Sequence, residues 1–125
     1  QDALKNVRQR AIQAFETHLR QVPEDARARI LLAGAYAYEE RTAEATREAD
    51  LAMVLRPNDS NVHYNAACVF CTMSKKAEAL AALARAWKAG FRDADWVRRD
   101  PDLNLLHGEP EFERLYPPGG EGAGQ

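Results

Sequence analysis

PEDARARILLAGAYAYEERTAEATREADLAMVLRP, residues 23–57, is the stretch whose reading decides the fold. Its two prolines, Pro23 and Pro57, stand 34 residues apart, and each leads into an acidic, polar linker, Glu24-Asp25 and Asn58-Asp59. Shifting the chain over itself by those 34 positions brings the small and apolar residues into line. Ala11 falls on Ala45 and then Ala79, and Phe15 on Ala49 and then Leu83. Leu32 and Ala33 fall on Ala66 and Ala67, and Tyr36 on Phe70. A fixed period of this size marks stacked supersecondary units, none of which buries its apolar face alone.

Within each period the spacing is helical. Residues 3–21 carry Ala3, Val7, Ala11, Ile12, Ala14, Phe15 and Leu19 on one side. Pro23 stops this helix, because a proline pushes the residue before it out of the α region. Asp25 is expected to cap a helix from Ala26 to Glu39, with Ile30, Leu31, Leu32, Ala33, Tyr36 and Ala37 inward or groove-facing. Thr42 is expected to cap the return helix, Ala43 to Leu55, and Asp59 or Ser60 to start Asn61 to Met73. Ser74 is expected to cap Lys75 to Ala89, and Gly90 to stop it in a left-handed conformation with Phe91 folding back onto the helix it ends.

From there the register fails. Asp93-Ala-Asp-Trp96 opens a short helix, and Asp100-Pro101 reads as a cap followed by a first-turn proline whose missing N–H is not needed. Gly108 ends that second helix, and a third spans Pro110 to Tyr116, closed by Pro117-Pro118. A stack of units needs an end piece that is apolar only on its inner side. Trp96, Val97, Leu103, Leu105, Leu106, Phe112 and Leu115 are expected to form that inner side. Residues 117–125 are expected to be a disordered tail, Gly119 to Gln125 having the composition of one.

The stretch Ala26 to Pro57, with Leu32, Ala33, Tyr36, Ala45, Ala52 and Pro57 in place, resembles the tetratricopeptide repeat, two antiparallel helices per unit ending in proline. Arg29 stands where that family has an aromatic, and Glu40 where it has an inter-helix glycine. Residues 11–23 resemble the second helix of a preceding unit, with His18 where a small residue is typical, and residues 60–93 a following one whose closing proline is replaced by Gly90-Phe91. The resemblance implies an all-α right-handed superhelical solenoid: one domain over 1–116, with a half repeat at 3–25, repeats at 26–59 and 60–93, and a helical cap at 94–116. Gly90-Phe-Arg-Asp, Trp96, Asp100-Pro-Asp-Leu103 and Pro110-Glu-Phe112, with Tyr64-Asn65-Ala-Ala-Cys68 upstream, resemble the C-terminal repeat region of bacterial signalling proteins associated with Ser/Thr kinases or nucleotide cyclases.

By that resemblance the first helix of each pair lines a concave groove, implying binding positions at Arg27, Ile30, Leu31, Gly34 and Tyr38, and at Asn61, Tyr64, Asn65, Cys68 and Thr72. Asn65 matches an asparagine that bonds peptide backbone in the family, a task suited to an amide because it offers donor and acceptor together. Some members clamp the acidic C-termini of heat-shock chaperones. Arg27 and Asn65 fit such a clamp, whereas Ile30, Gly34 and Asn61 stand at other clamp positions. The groove, with Tyr38, Tyr64, Ile30 and Leu31, suits an amphipathic helix or an extended peptide anchored by aromatics. The implied function is non-enzymatic protein–protein interaction with no cofactor, as a scaffold module of a larger protein.

Composition points to few other classes. A formal net charge of −2, with both signs interspersed, provides no footprint for nucleic acid. No apolar run reaches the roughly 20 residues of a membrane span, and no stretch has a signal-peptide pattern. A start at Gln1 suggests an excised domain or a processed product. Two cysteines make no disulfide framework, and a reducing, cytoplasmic setting is the simpler expectation. Cys68 and Cys71 have the spacing of a metal or redox pair, but they fall mid-helix, away from the helix start that lowers a thiol pKa, and no second pair completes a zinc site. Small side chains in a tight helix pair is the simpler account. His18, His63 and His107 are scattered, the last explained by the helix dipole. Two rival readings stand beside the groove: homo-oligomerisation through the unpartnered helix 3–21, and a metal or redox site at Cys68 and Cys71.

Overall fold

The computed structural model describes residues 2–119; the part of the expected tail at 120–125 lies outside the described residues. The fold is all-helical, with no strand among the described residues. The elements are α1 (Asp2–Gln21), α2 (Ala26–Tyr38), α3 (Thr42–Leu55), α4 (Ser60–Thr72), α5 (Lys76–Lys88), α6 (Ala94–Arg99), a 3-10 helix (Pro101–Leu106) and α7 (Pro110–Leu115). No described helix is long and apolar enough to cross a membrane. Helix α2 packs on α3 and α4 on α5, as two hairpins. The hairpins meet through α2 with α4 and α3 with α4, while α1 packs on α2, the 3-10 helix on α4 and α5, α7 on α5, and α6 on the 3-10 helix.

The period is visible atom by atom. Helices α2 and α4 start at residues 26 and 60, and α3 and α5 at 42 and 76, both 34 apart. Asp25 and Asp59 each accept amide hydrogen bonds at the head of their helix, from Ala28 in one case and from Asn61 and Val62 in the other. Arg29 Nε donates to the Pro23 carbonyl at 2.8 Å, and His63 Nε2 donates to the Pro57 carbonyl at 2.7 Å. The side chains at these equivalent positions, Arg29 and His63, therefore strap each proline turn to the helix that follows it.

Inside each hairpin the turn differs from expectation. Thr42 is the first helical residue, and Arg41 precedes it without a side-chain cap. Ser74 likewise is not a cap: Lys75 holds that position, again with no side-chain bond. Instead Glu40 and Ser74 adopt left-handed conformations, φ +61° and +59°. The turn requires this, because the next amide must reach back five positions: Arg41 N–H to the Tyr36 carbonyl at 2.9 Å, and Lys75 N–H to Phe70 at 2.8 Å. A non-glycine residue in this region costs about 1 kcal/mol. Glu40→Gly is therefore expected to raise stability by roughly 0.5–1 kcal/mol, and a urea midpoint at or below wild type would contradict this account of the turn.

Alanine makes the close packing. Ala33, Ala45, Ala49, Ala52, Ala66, Ala67, Ala79, Ala82 and Ala86 are all at 0% exposure, so helix backbones approach where no larger residue fits. Ala45→Leu is expected to cost about 1–3 kcal/mol through overpacking. An unchanged thermal melt would mean that the small residues do not face one another.

The cap departs from its predicted inner face. Val97, Leu103, Leu106, Phe112 and Leu115 are buried, as is Tyr116, whose hydroxyl donates to the Phe91 carbonyl at 2.6 Å. Trp96 and Leu105 instead point outward, Trp96 at 55% exposure. The six-residue helix α6 turns only one narrow stripe to the core, and Ala94 and Val97 occupy it. After Gly90 (φ +119°) the Phe91 N–H bonds back to the Ala86 carbonyl of α5 at 2.9 Å, and the Phe91 ring stacks on Tyr64 of α4, centroids 4.2 Å apart. His107 stacks on Phe112 at 5.1 Å, a contact beyond the helix dipole.

Candidate functional site

The structure divides the predicted groove into three regions. Arg27, Ile30, Asn61 and Asn65 come together in a cleft of ≈ 240 Å³ between the heads of α2 and α4, with Asp25, Arg56 and Asp59 also on its walls. Arg27, Asn61 and Asn65 are exposed there, whereas Ile30 is buried in its floor. The cleft is polar because two helix starts and their capping carboxylates converge on it. Its cations are Arg27 and Arg56, its neutral donors and acceptors the two asparagine amides.

The second region faces α1. Leu31, half-exposed, borders an apolar cleft with Phe15, Ala14 and His18 of α1. Across its mouth His18 Nε2 and an Asp25 carboxylate oxygen are 2.7 Å apart. That contact, more than the Ala28 amide, holds the Asp25 carboxyl below its ordinary range. Tyr38, 61% exposed, lies under the Arg8 guanidinium at 5.7 Å. Gly34 sits half-buried between these regions, and a Cβ built on it meets nothing within 4 Å. A helix-interior glycine with open space above it is a floor position, not a packing contact.

The third region is closed by the cap. Tyr64 is buried: its ring stacks on Phe91 and its hydroxyl donates to an Asp100 carboxylate oxygen. The expectation of Tyr64 as an exposed groove anchor is therefore corrected. Phe91 and Asp100 occupy the ring face and the hydroxyl of Tyr64. Burial, followed by the Asp100 contact, pushes the Tyr64 hydroxyl pKa far up, so it remains a donor. Cys68 is half-buried beside the same elements, and Thr72 is exposed with its hydroxyl donating to the Cys68 carbonyl at 3.1 Å.

Both cysteines are free thiols in the C-terminal half of α4, Cys71 one residue from its end, and so far from the helix start. Burial is the main reason their pKa values rise, Cys71 to about 11 and Cys68 further, with the Asp100 and Asp102 carboxylates adding to the effect. These are not activated thiols. The sulfur of Cys68 and carboxylate oxygens of Asp100 and Asp102 lie within 4.8 Å of one another, so Cys68 has two carboxylates of the cap as neighbours.

Sequence reasoning missed Arg56, Trp96, Asp100 and Asp102 as rim residues. Asp100 was recognisable as a helix cap, and its Oδ1 does accept from the Asp102 amide at 3.0 Å. Its second oxygen, turned to Tyr64 across 36 positions, had no local signal.

No family model matches the chain, and no solved structure matches it. Over 60 residues the chain is 35% identical to a chloroplastic protein of Arabidopsis thaliana, a match covering 47% of this chain and 18% of that protein. The match thus spans less than a fifth of the relative's length.

Proposed function

We propose that the chain is a non-enzymatic protein–protein interaction module of the tetratricopeptide type, its hairpins stacked as a right-handed superhelix, and that it binds a peptide or helix of a partner over α2 and α4. The observation that carries this reading is the polar cleft at Arg27, Asn61 and Asn65 beside the open floor at Gly34. Two amides and a guanidinium at a groove edge suit main-chain carbonyls and N–H groups of an extended segment. Leu31 adds an apolar contact. Hairpins already packed on one another present that surface without an ordering cost at binding. Its setting is a larger signalling or regulatory protein of a bacterial cytoplasm, as the likeness of its C-terminal region to kinase- and cyclase-associated repeats implies.

Gly34 provides the test. Gly34→Ala should stabilise the fold by about 0.5–1 kcal/mol, since alanine is the better helix former and its methyl has room. Gly34→Trp should melt close to wild type yet fill the groove. Capture of a partner from a bacterial lysate should survive the first change and be lost with the second. Equal capture by both variants would remove α2 from the binding surface. A mass that rises with concentration, and falls on Leu4→Ser/Val7→Ser, would favour self-association through the exposed side of α1, where Leu4 and Val7 are each 63% exposed.

A further inference from the structure

Beyond Cys68 the cap extends the α4 side of the molecule with a second, differently built recess. A cleft of ≈ 440 Å³ is walled by Trp96, Arg99, Asp100, Pro101 and Asp102. Its floor is apolar, the Trp96 indole and the Pro101 ring, and its edge carries two carboxylates. The Trp96 indole is exposed over half its surface at this rim, beside the exposed Pro101.

Neither carboxylate is neutralised. Among the described residues no lysine or arginine forms an ion pair with Asp100 or Asp102. Arg99 lines the same cleft but turns its Nε to the Asp95 carbonyl of its own helix, 3.2 Å away. Arg98 is engaged by Glu113 and the Tyr116 carbonyl. Inward of the recess, the same two carboxylates add to the effect of burial in raising the Cys68 and Cys71 thiol pKa values.

We infer that this recess is a pocket for one basic side chain, lysine or arginine, of the peptide segment that runs over α4. This rests on the peptide-binding reading above and names the chemistry of that ligand. The aliphatic stem lies on Pro101 and Trp96, the cationic head faces the indole and Asp102, and Asp100 adds charge while staying bonded to Tyr64. An indole face attracts a cation through its quadrupole, and a carboxylate adds a charge-assisted hydrogen bond. The two clefts differ in charge: at the α2–α4 cleft Arg27 and Arg56 balance Asp25 and Asp59 beside two amides, whereas at the cap two carboxylates outnumber Arg99. An acceptor-rich stretch of backbone suits the first, and a basic residue downstream of it the second.

Selection of random dodecapeptides displayed on phage against the full chain tests the inference, with Asp102→Asn and Trp96→Leu as parallel baits. Both residues are exposed, so neither change removes packing from the core. The expected result is enrichment of one lysine or arginine at a fixed position on wild type, and loss of that preference on both variants. In fluorescence anisotropy the best peptide should bind either variant about tenfold more weakly. Replacing its basic residue by norleucine should cause the same loss, with little added on Asp102→Asn. Enriched peptides with no basic preference, bound equally by all three baits, would overturn the pocket and leave the groove reading intact. No enrichment on any bait would overturn both. Enrichment abolished by EDTA would also overturn it, assigning the Cys68, Asp100 and Asp102 donors to a metal ion instead.

Discussion

Phe112→Ala is expected to lower stability by about 3–5 kcal/mol and to release the C-terminal cap from the hairpins. The ring is at 0% exposure and is held on several sides. His107 stacks on it at 5.1 Å, Tyr116 meets it at 6.2 Å, and the Arg98 guanidinium lies 5.5 Å from its centre. Deleting it leaves a cavity that three short elements, each of six residues, cannot close without moving together. A domain of this size has roughly 5–15 kcal/mol in all, so the loss is a large fraction of it. The urea midpoint should fall by more than about 1 M. Cys68 should then react quickly with a thiol reagent under conditions where wild type reacts slowly. A wild-type midpoint would show that the cap is not part of the cooperative core.

Glu48→Ala is expected to cost about 3 kcal/mol or more, for an electrostatic reason. Glu48 Oε1 accepts from Arg29 Nη1 at 2.5 Å, with the two side chains only 9% and 15% exposed. Arg29 also holds the Pro23 carbonyl, so it cannot swing to water without freeing the turn. Removing the carboxylate strands a mostly buried cation. The second hairpin shows the alternative solution at the equivalent positions, 34 residues on: His63 replaces Arg29 and Ala82 replaces Glu48. There the imidazole holds the proline carbonyl by itself and its Nδ1 has no partner. Arg29→His together with Glu48→Ala should therefore recover most of what Glu48→Ala loses. Thermal melts of the three variants decide it. A double variant no more stable than Glu48→Ala alone would break the equivalence of the two straps.

What was legible in the sequence follows the range of the interactions. Prolines, alanine stripes and capping aspartates act within one helix pair, and the helices lie within a residue of their expected ends. The left-handed turn residues carry none of glycine's own signal, and only the resemblance, by setting Glu40 at an inter-helix glycine position, pointed to the first of them; the backbone bonds of the turn override the preference of Glu40 and Ser74. Tyr64 was misplaced for a different reason. Its partners, Phe91 and Asp100, belong to a region where the period has lapsed, so no alignment of the repeats leads to them. Trp96 was assigned inward because it is apolar, but a single-turn helix has room for few inward positions. Phe112 and Tyr116, four residues apart at the end of α7, did carry a readable signal in their shared helical face.

The order in which helices touch has a kinetic consequence. Within the hairpins each helix packs on its neighbours in the chain, so the loops that must close are short and little chain entropy is lost in closing them. The bonds from Tyr64 to Asp100 and from Tyr116 to Phe91 span 36 and 25 positions. On a chain that emerges from the ribosome N-terminus first, both hairpins are complete before Asp100 and Tyr116 exist outside the exit tunnel. Until then Tyr64 and Phe91 face solvent, and the nascent protein passes through a stage in which its stickiest surface is the one its own end will cover.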